Sequence, residues 1–267
     1  MVEIIDGRKI ASKIKDEIAA QIYNFKGLRP SLAIILVGSR EDSELYVSLK
    51  EKEGVRVGVD THLYKLPENT SEKELLEVIN FLNNDASVDG ILIQLPLPEN
   101  LDTDKIISAL DPKKDVDGFH PEHPDYVLSP VLSAINACLD ETKLNFTNKT
   151  ACVFYNSEVF GLAAQTILAK KGLTVLPLDQ ADKADVLVSA LGSPKVVTKE
   201  TIKDKVILID IGTTKVDGHV IGDIDFEDVK EKASFITPVP GGIGPLTIAF
   251  LFKNVLEIYK RKKGIKE

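Results

Sequence analysis

Leu32-Ala-Ile-Ile-Leu-Val37-Gly38, followed by Ser43-Glu-Leu-Tyr46-Val-Ser-Leu-Lys50, is the stretch on which the fold turns. An unbroken apolar run closed by a glycine is the pattern of a buried strand ending in a turn. Beyond it Leu45, Leu49 and Val55 recur at helical spacing, so the segment reads as strand, loop, helix. Tyr46 and Lys50 stand four residues apart and share a face of that helix. An aromatic ring beside an amine, where a strand's carboxyl end meets a helix, suits a flat ligand and a proton-transfer group. The same residues also fit a plain amphipathic helix, with the tyrosine half-buried and the lysine in water.

Outward from this unit the alternation continues. Ile10, Ile14, Ile18 and Ile22 form a fourfold stripe on a helix spanning 8–26. Thr61 to Leu66 alternates like a strand, and Thr70-Ser-Glu-Lys-Glu opens a helix that runs to Asn83. Gly90-Ile-Leu-Ile-Gln-Leu95 is a third apolar run, closed by Pro96 and Pro98. Strands alternating with helices predict a parallel sheet covered on both faces. Residues 99–125 read as irregular and acidic, and a helix from Pro130 to Asp140 follows.

A second series begins at Thr150: strand 151–154, helix 159–171 ended by Gly172, and strands at 174–178, 186–190 and 206–210. That is the look of a dinucleotide-binding domain. Leu251, Phe252, Val255, Leu256 and Tyr259 share one face of a last helix. The expected fold is α/β in two domains. Residues 1–141 make a parallel-sheet catalytic domain and 142–242 a Rossmann-like domain, with a C-terminal helix, 243–262, returning to the first.

Composition narrows the function classes. A chain of 267 residues with 43% apolar and 28% charged residues is ordinary for a soluble globular protein. A net charge of -8 argues against nucleic acid as a partner, and no basic patch with interleaved aromatics is present. The basic run Lys260-Arg-Lys-Lys263 suits the carboxyl end of a helix. The amino-terminal residues do not resemble a signal peptide, and no apolar stretch is long enough for a bilayer. Cys138 and Cys152 lack a metal-ligand spacing, and His120 with His123 gives at most a weak metal pattern, so no metal is expected. A reducing cytoplasm is the default location.

Chemistry collects at the strand ends. Gln94 within Ile-Leu-Ile-Gln-Leu must find partners or cost a few kcal/mol, whether through a ligand group or through backbone. Asp117 precedes Gly118 and either faces a ligand or caps a turn. Pro238-Val-Pro-Gly-Gly-Ile-Gly-Pro245 allows close backbone approach to a ligand at the start of a helix.

Taken in order, Val37-Gly38, Ser43-x-x-Tyr46-x-x-x-Lys50, Gln94-Leu-Pro-Leu-Pro98, Lys114-Asp-Val-Asp-Gly118 and Ser234 to Pro245 carry a resemblance. The chain resembles the bifunctional methylenetetrahydrofolate dehydrogenase/methenyltetrahydrofolate cyclohydrolase family over nearly its whole length. The resemblance implies a cytoplasmic homodimer of one-carbon metabolism, with folate bound in a cleft between the domains. Tyr46 would stack on the folate ring system, and Asp117 would accept from the pterin's amino edge. Lys50 would move protons during opening of the methenyl bridge, with Gln94 holding its amine. Leu95, Pro96, Pro238, Gly241 and Gly242 would line the substrate, Gly242 also touching the cofactor. A lysine does this work only with a pKa lowered by burial or by a neighbouring cation.

The nucleotide half departs from the family. Members usually carry Gly-Arg-Ser and then Val-Gly-x-Pro after the first strand, where this chain reads Tyr155-Asn156-Ser157-Glu-Val-Phe160-Gly161. Tyr155, Asn156, Ser157, Gly161, Asp179, Gly192, Gly212, Thr213 and Gly242 are the expected cofactor contacts. An arginine clamps the 2′-phosphate of NADP, and Asn156 lacks that charge. Asp179, about twenty residues past the turn, is where an acid holds the ribose hydroxyls of NAD, or is simply a loop residue. The expected cofactor is therefore NAD or NADP, with NAD favoured. A tyrosine in place of the turn glycine also admits a cyclohydrolase alone, or a non-catalytic folate-binding relative.

Overall fold

The computed structural model describes residues 2–265. They form two compact units: one through Ala11 and from Val131 to Thr247, the other from Ser12 to Pro130 and onward from Ile248. The expected boundaries had put residues 1–11 and 131–141 with the first domain; by contact they group with the nucleotide half. In physical terms, strand β1 (Glu3–Ile4) pairs in parallel with a strand of that half. Helix α1 (Gly7–Tyr23) and the last helix each run from one unit into the other.

The unit beginning at Ser12 is built on β2 (Ser31–Val37), every residue of which is buried. It continues through α2 (Glu41–Val57), β3 (Asp60–Leu66), α3 (Glu72–Asn84), β4 (Gly90–Ile93) and α4 (Thr103–Ser108). The sheet is parallel, in the order β3-β2-β4. The two-residue period of a strand explains the continuous apolar run. Leu32, Ile34 and Leu36 face a core shared with α2 and the C-terminal helix, through Val47, Leu251, Phe252 and Val255. Ala33, Ile35 and Val37 face the other core, made with Leu75, Ile79 and Leu82 of α3 and Ile106 of α4. Ser71 opens α3 with a reciprocal cap, accepting from Glu74 N while Glu74 accepts from Ser71 N. The expected irregular segment 99–125 thus contains one short helix, started by the Asp102 side chain accepting from Lys105 N.

The other unit carries α5 (Pro130–Glu141) from Val131 onward, then β5 (Lys149–Tyr155), α6 (Glu158–Lys170), β6 (Leu173–Val175), β7 (Val186–Ala190) and β8 (Ile207–Asp210). A hairpin of β9 (Thr214–Val216) and β10 (His219–Ile221) follows, then α7 (Phe226–Val229) and β11 (Phe235–Ile236). Helix α8 (Ile243–Lys263) closes the chain. The six-stranded parallel sheet has the order β1-β11-β8-β7-β5-β6. The strand order reverses direction between β5 and β7, the position where open α/β sheets bind ligands at their carboxyl ends. Asp217 and Gly218, both at positive φ, form the tip of the β9–β10 hairpin. An Asp-Gly pair is the sequence signal for such a turn.

Candidate active site

Three side chains from three segments of the Ser12 unit converge. Lys50 lies on α2 one turn after Tyr46, which is 43% exposed and so free to stack on a ligand. Lys50 Nζ donates to Gln94 Oε1 at 2.8 Å. Gln94 is not inside a strand, as its sequence context had suggested. Strand β4 ends at Ile93, and Gln94 is the next residue, its own N–H donating to Ile35 O at 2.8 Å. Its amide nitrogen donates to Leu95 O at 2.7 Å. That bond settles which end of the amide faces the lysine, because only the oxygen remains to accept. Leu95 and Pro96 follow directly, joined by a cis peptide bond.

Asp117 completes the group electrostatically, without an ion pair to Lys50 within the usual distance. Burial holds the Lys50 ammonium below its ordinary pKa, while the nearby Asp117 charge opposes that shift. Asp117 itself is pushed up to about 6, by burial first and then by Asp115, with Lys50 acting the other way. An amine that sheds its proton more readily than free lysine, beside a carboxyl titrating near neutrality, is suited to proton transfer. Gly118 is required for the turn: its φ is +70°, and a Cβ there would stand 2.3 Å from Val127 O.

Three neighbours had no role assigned from the sequence, although Ser43 opens the Ser43-x-x-Tyr46-x-x-x-Lys50 motif and Asp115 flanks the turn at Gly118 together with Asp117. Ser43 is 3% exposed, its Oγ has no partner, and it lies three residues before Tyr46 and seven before Lys50, on one helical face. The spacing alone contained that signal. Asp115 and Asn254 are the others. Asn254, on α8, donates to Val116 O at 2.9 Å and to Leu128 O at 3.0 Å, which no local pattern announces.

In the other unit the expected cofactor residues gather at the carboxyl ends of β5, β7 and β8. Asn156 Nδ2 donates to Leu191 O at 2.9 Å, tying the loop after β5 to the loop after β7. Thr214 Oγ1 donates to Gly192 O at 3.1 Å. Ser157 is the N-cap of α6, accepting from Phe160 N at 3.5 Å, and the first-turn N–H groups it leaves suit an anionic pyrophosphate. Tyr155 ends β5, and its ring lies against Gly161: a Cβ at 161 would be 2.5 Å from that ring. The bulky residue at the turn is thus matched by the absence of a side chain on α6.

Two buried aspartates order the same loops. Asp223 accepts from Ser189 Oγ at 2.8 Å, Leu191 N at 2.6 Å and Ser193 N at 2.9 Å. Asp210 accepts from Asp223 N at 3.1 Å and Ile224 N at 2.9 Å, and burial pushes its carboxyl up to about 7. Gly212 lies against the Asp223 carboxylate, and Thr213 is exposed beside it. This backbone-lined arrangement fits a nicotinamide dinucleotide.

Asp179 is not at the end of a strand. Strand β6 stops at Val175, and Asp179 lies exposed in a 3-10 helix over Leu178–Lys183 that starts after Pro177. Pro238, Gly241 and Gly242 form a turn, closed by Gly242 N donating to Pro238 O at 2.7 Å. Burial pushes the free thiols of Cys138 and Cys152 up to about 12 and about 11, so neither is a nucleophile near neutral pH. Among the described residues no group of three or more His, Cys, Asp or Glu is arranged to hold a metal ion, and no helix is long and apolar enough to cross a membrane.

Residues 5–117 match the catalytic domain of the tetrahydrofolate dehydrogenase/cyclohydrolase family, and residues 130–263 match its NAD(P)-binding domain. The bifunctional protein FolD of Sulfurihydrogenibium sp. is 42% identical, over 97% of this chain and 98% of its own length. Among solved structures, bifunctional FolD methylenetetrahydrofolate dehydrogenase/cyclohydrolase from Campylobacter jejuni is 35% identical with a TM-score of 0.93. That similarity covers 98% of this chain and 99% of the other. The methylenetetrahydrofolate dehydrogenase-cyclohydrolase of Trypanosoma brucei, solved with NADP and an inhibitor, is 33% identical with a TM-score of 0.91. Here 97% of this chain and 98% of that one are covered.

Proposed function

This chain belongs to the tetrahydrofolate dehydrogenase/cyclohydrolase family, and we propose that Lys50, Gln94, Asp117 and Tyr46 are the residues that serve its folate chemistry. It oxidises 5,10-methylenetetrahydrofolate to the methenyl form by hydride transfer to a nicotinamide dinucleotide, and hydrolyses the methenyl form to 10-formyltetrahydrofolate. The nicotinamide supplies the hydride acceptor when bound. Tyr46 stacks on the folate ring, and the Asp117 carboxylate accepts from the amino edge of the pterin. In hydrolysis Lys50, as the neutral amine, takes a proton from the water that attacks the methenyl carbon. It then returns that proton to the pterin nitrogen as the carbon–nitrogen bond breaks, while the hydroxyl proton of the adduct leaves to solvent and the formyl carbonyl forms. Gln94 Oε1 keeps the amine aimed throughout. The observation that carries this reading is the Lys50–Gln94 bond of 2.8 Å on a lysine whose pKa burial has lowered.

Recognition by an ionised Asp117 sets a pH dependence. Its carboxyl titrates at about 6, so the acceptor is neutralised below that pH. The KM for methenyltetrahydrofolate is expected to fall as pH rises through about 6, and the dependence should vanish in Asp117→Asn. A flat KM from pH 5 to 7.5 in the native enzyme would refute the role given to Asp117.

For the cofactor we propose NAD over NADP. Asn156 is uncharged and spends its amide donor on Leu191 O, leaving no cation at that position for a 2′-phosphate. The exposed carboxylate of Asp179 repels such a phosphate and suits ribose hydroxyls. Pro238, Gly241 and Gly242 are proposed to line the substrate, and Ser157, Gly161, Gly192, Gly212 and Thr213 the dinucleotide. A cytoplasmic homodimer is the proposed assembly, on the precedent of the family. The test follows oxidation of methylenetetrahydrofolate with NAD and NADP in parallel, beside methenyltetrahydrofolate hydrolysis without cofactor. Turnover in both with NAD preferred is expected; tight use of NADP at low micromolar concentration would overturn the preference.

A further inference from the structure

We propose that Asp115 and His120 are a positioning pair that holds Asp117 in the orientation folate recognition needs; this rests on the role given to Asp117 above. The Asp115 side chain is 2% exposed and is the hub of the turn 115–120. Its Oδ1 accepts from Asp117 N at 3.2 Å and Gly118 N at 3.0 Å. Its Oδ2 accepts from Phe119 N at 2.6 Å, His120 N at 3.2 Å and the His120 ring at Nδ1, 2.8 Å away. Four backbone N–H groups already point at this carboxylate, so the ring nitrogen that faces it is a fifth donor, as the imidazolium or as the neutral Nδ1–H tautomer.

His120 Nε2 is buried without a partner. The ring therefore makes a single side-chain hydrogen bond, and that bond goes to Asp115. A histidine retained for its own packing needs no such carboxylate, and a turn capped by Asp115 alone needs no fifth donor. The pair acts on Asp117 because the residue's own N–H is one of the five donors. The preceding carbonyl, Val116 O, is held from the other side by Asn254 Nδ2 at 2.9 Å. Charge-assisted hydrogen bonds of this kind are short and about twice as strong as neutral ones, so the ring bond stiffens the whole cluster.

His120→Leu removes the donor and keeps the bulk; His120→Asn returns an N–H near the position of Nδ1. The expected result for His120→Leu is a rise in the KM for methenyltetrahydrofolate on the order of tenfold, the effect of losing one hydrogen bond to a charged group. The kcat of hydrolysis should change by less than about threefold, because Lys50 and Gln94 are untouched. His120→Asn should restore KM to within about threefold of the native value. A purely structural role would lower the thermal midpoint of both variants without this split. The proposal is overturned if folded His120→Leu has a native KM, or if His120→Asn fails to restore it. Asp117→Ala serves as the control. If it too leaves KM unchanged, the recognition role of Asp117 has failed; if only His120→Leu is silent, the positioning pair alone has failed.

Discussion

Lys50→Met is expected to slow methenyltetrahydrofolate hydrolysis by roughly 10²- to 10⁴-fold, the usual contribution of a positioned proton carrier. Methionine keeps an unbranched stem of similar length, so α2 and the contact surface beside Tyr46 stay in place. What disappears is the amine whose pKa burial has lowered and which Gln94 Oε1 holds at 2.8 Å. Stacking on Tyr46 and the pterin contact to Asp117 do not pass through that amine, so folate still binds. Oxidation also continues at a measurable rate, since hydride transfer needs no proton carrier. The measurement is loss of methenyl absorbance at saturating substrate, with folate affinity titrated on the same preparation. Hydrolysis within tenfold of the native rate would remove Lys50 from the mechanism.

Phe252→Ala should destabilise the protein by about 3–5 kcal/mol, the cost of deleting a buried aromatic ring. Phe252 is fully buried in the core that also holds Leu32, Ile34, Leu36 and Val47. Its ring closes over Gly54 of α2, where a Cβ would stand 3.4 Å away. The cavity would therefore open beneath the helix that carries Tyr46 and Lys50. Against a total stability of about 5–15 kcal/mol, a loss of that size is a large fraction of the whole. Urea unfolding followed by circular dichroism reads it directly. A loss below about 1 kcal/mol would mean that α8 is not what closes this core.

The site was legible in the sequence to different depths in its two halves. Tyr46 and Lys50 could be read together because i and i+4 share a face in any helix. Gln94 drew notice as an amide in an apolar run that had to be paired; it is paired, to Lys50 Nζ and Leu95 O, and it stands one residue beyond the strand rather than within it. Asp179 shows the opposite case. The apolar run 174–178 looked like a strand, yet pairing with β5 stops at Val175 and Pro177 starts a 3-10 helix. Proline lacks the N–H a ladder requires, so the apolar pattern outran the hydrogen bonds. Strand β1 was missed because two residues carry no period; its identity lies in its partner, Phe235–Ile236.

The sequence by itself determined the alternation of strands and helices, the buried central strand Leu32–Val37, the family, and the residue types available for chemistry. The alternation and the buried strand follow from short-range rules: a period of two in strands, 3.6 in helices, and the conformational demands of glycine and proline. The family follows from the order and spacing of motifs such as Ser43-x-x-Tyr46-x-x-x-Lys50 and Lys114-Asp-Val-Asp-Gly118. Only the tertiary structure decided that Asp115 gathers the turn around Asp117 and that Asn254 reaches across 138 residues to Val116. It alone decided that Lys50 loses solvent enough to lower its pKa and that Tyr155 finds room over Gly161. Burial and hydrogen-bond partnership depend on groups distant in the chain, so no local period records them, and they appear only when the chain has closed on itself.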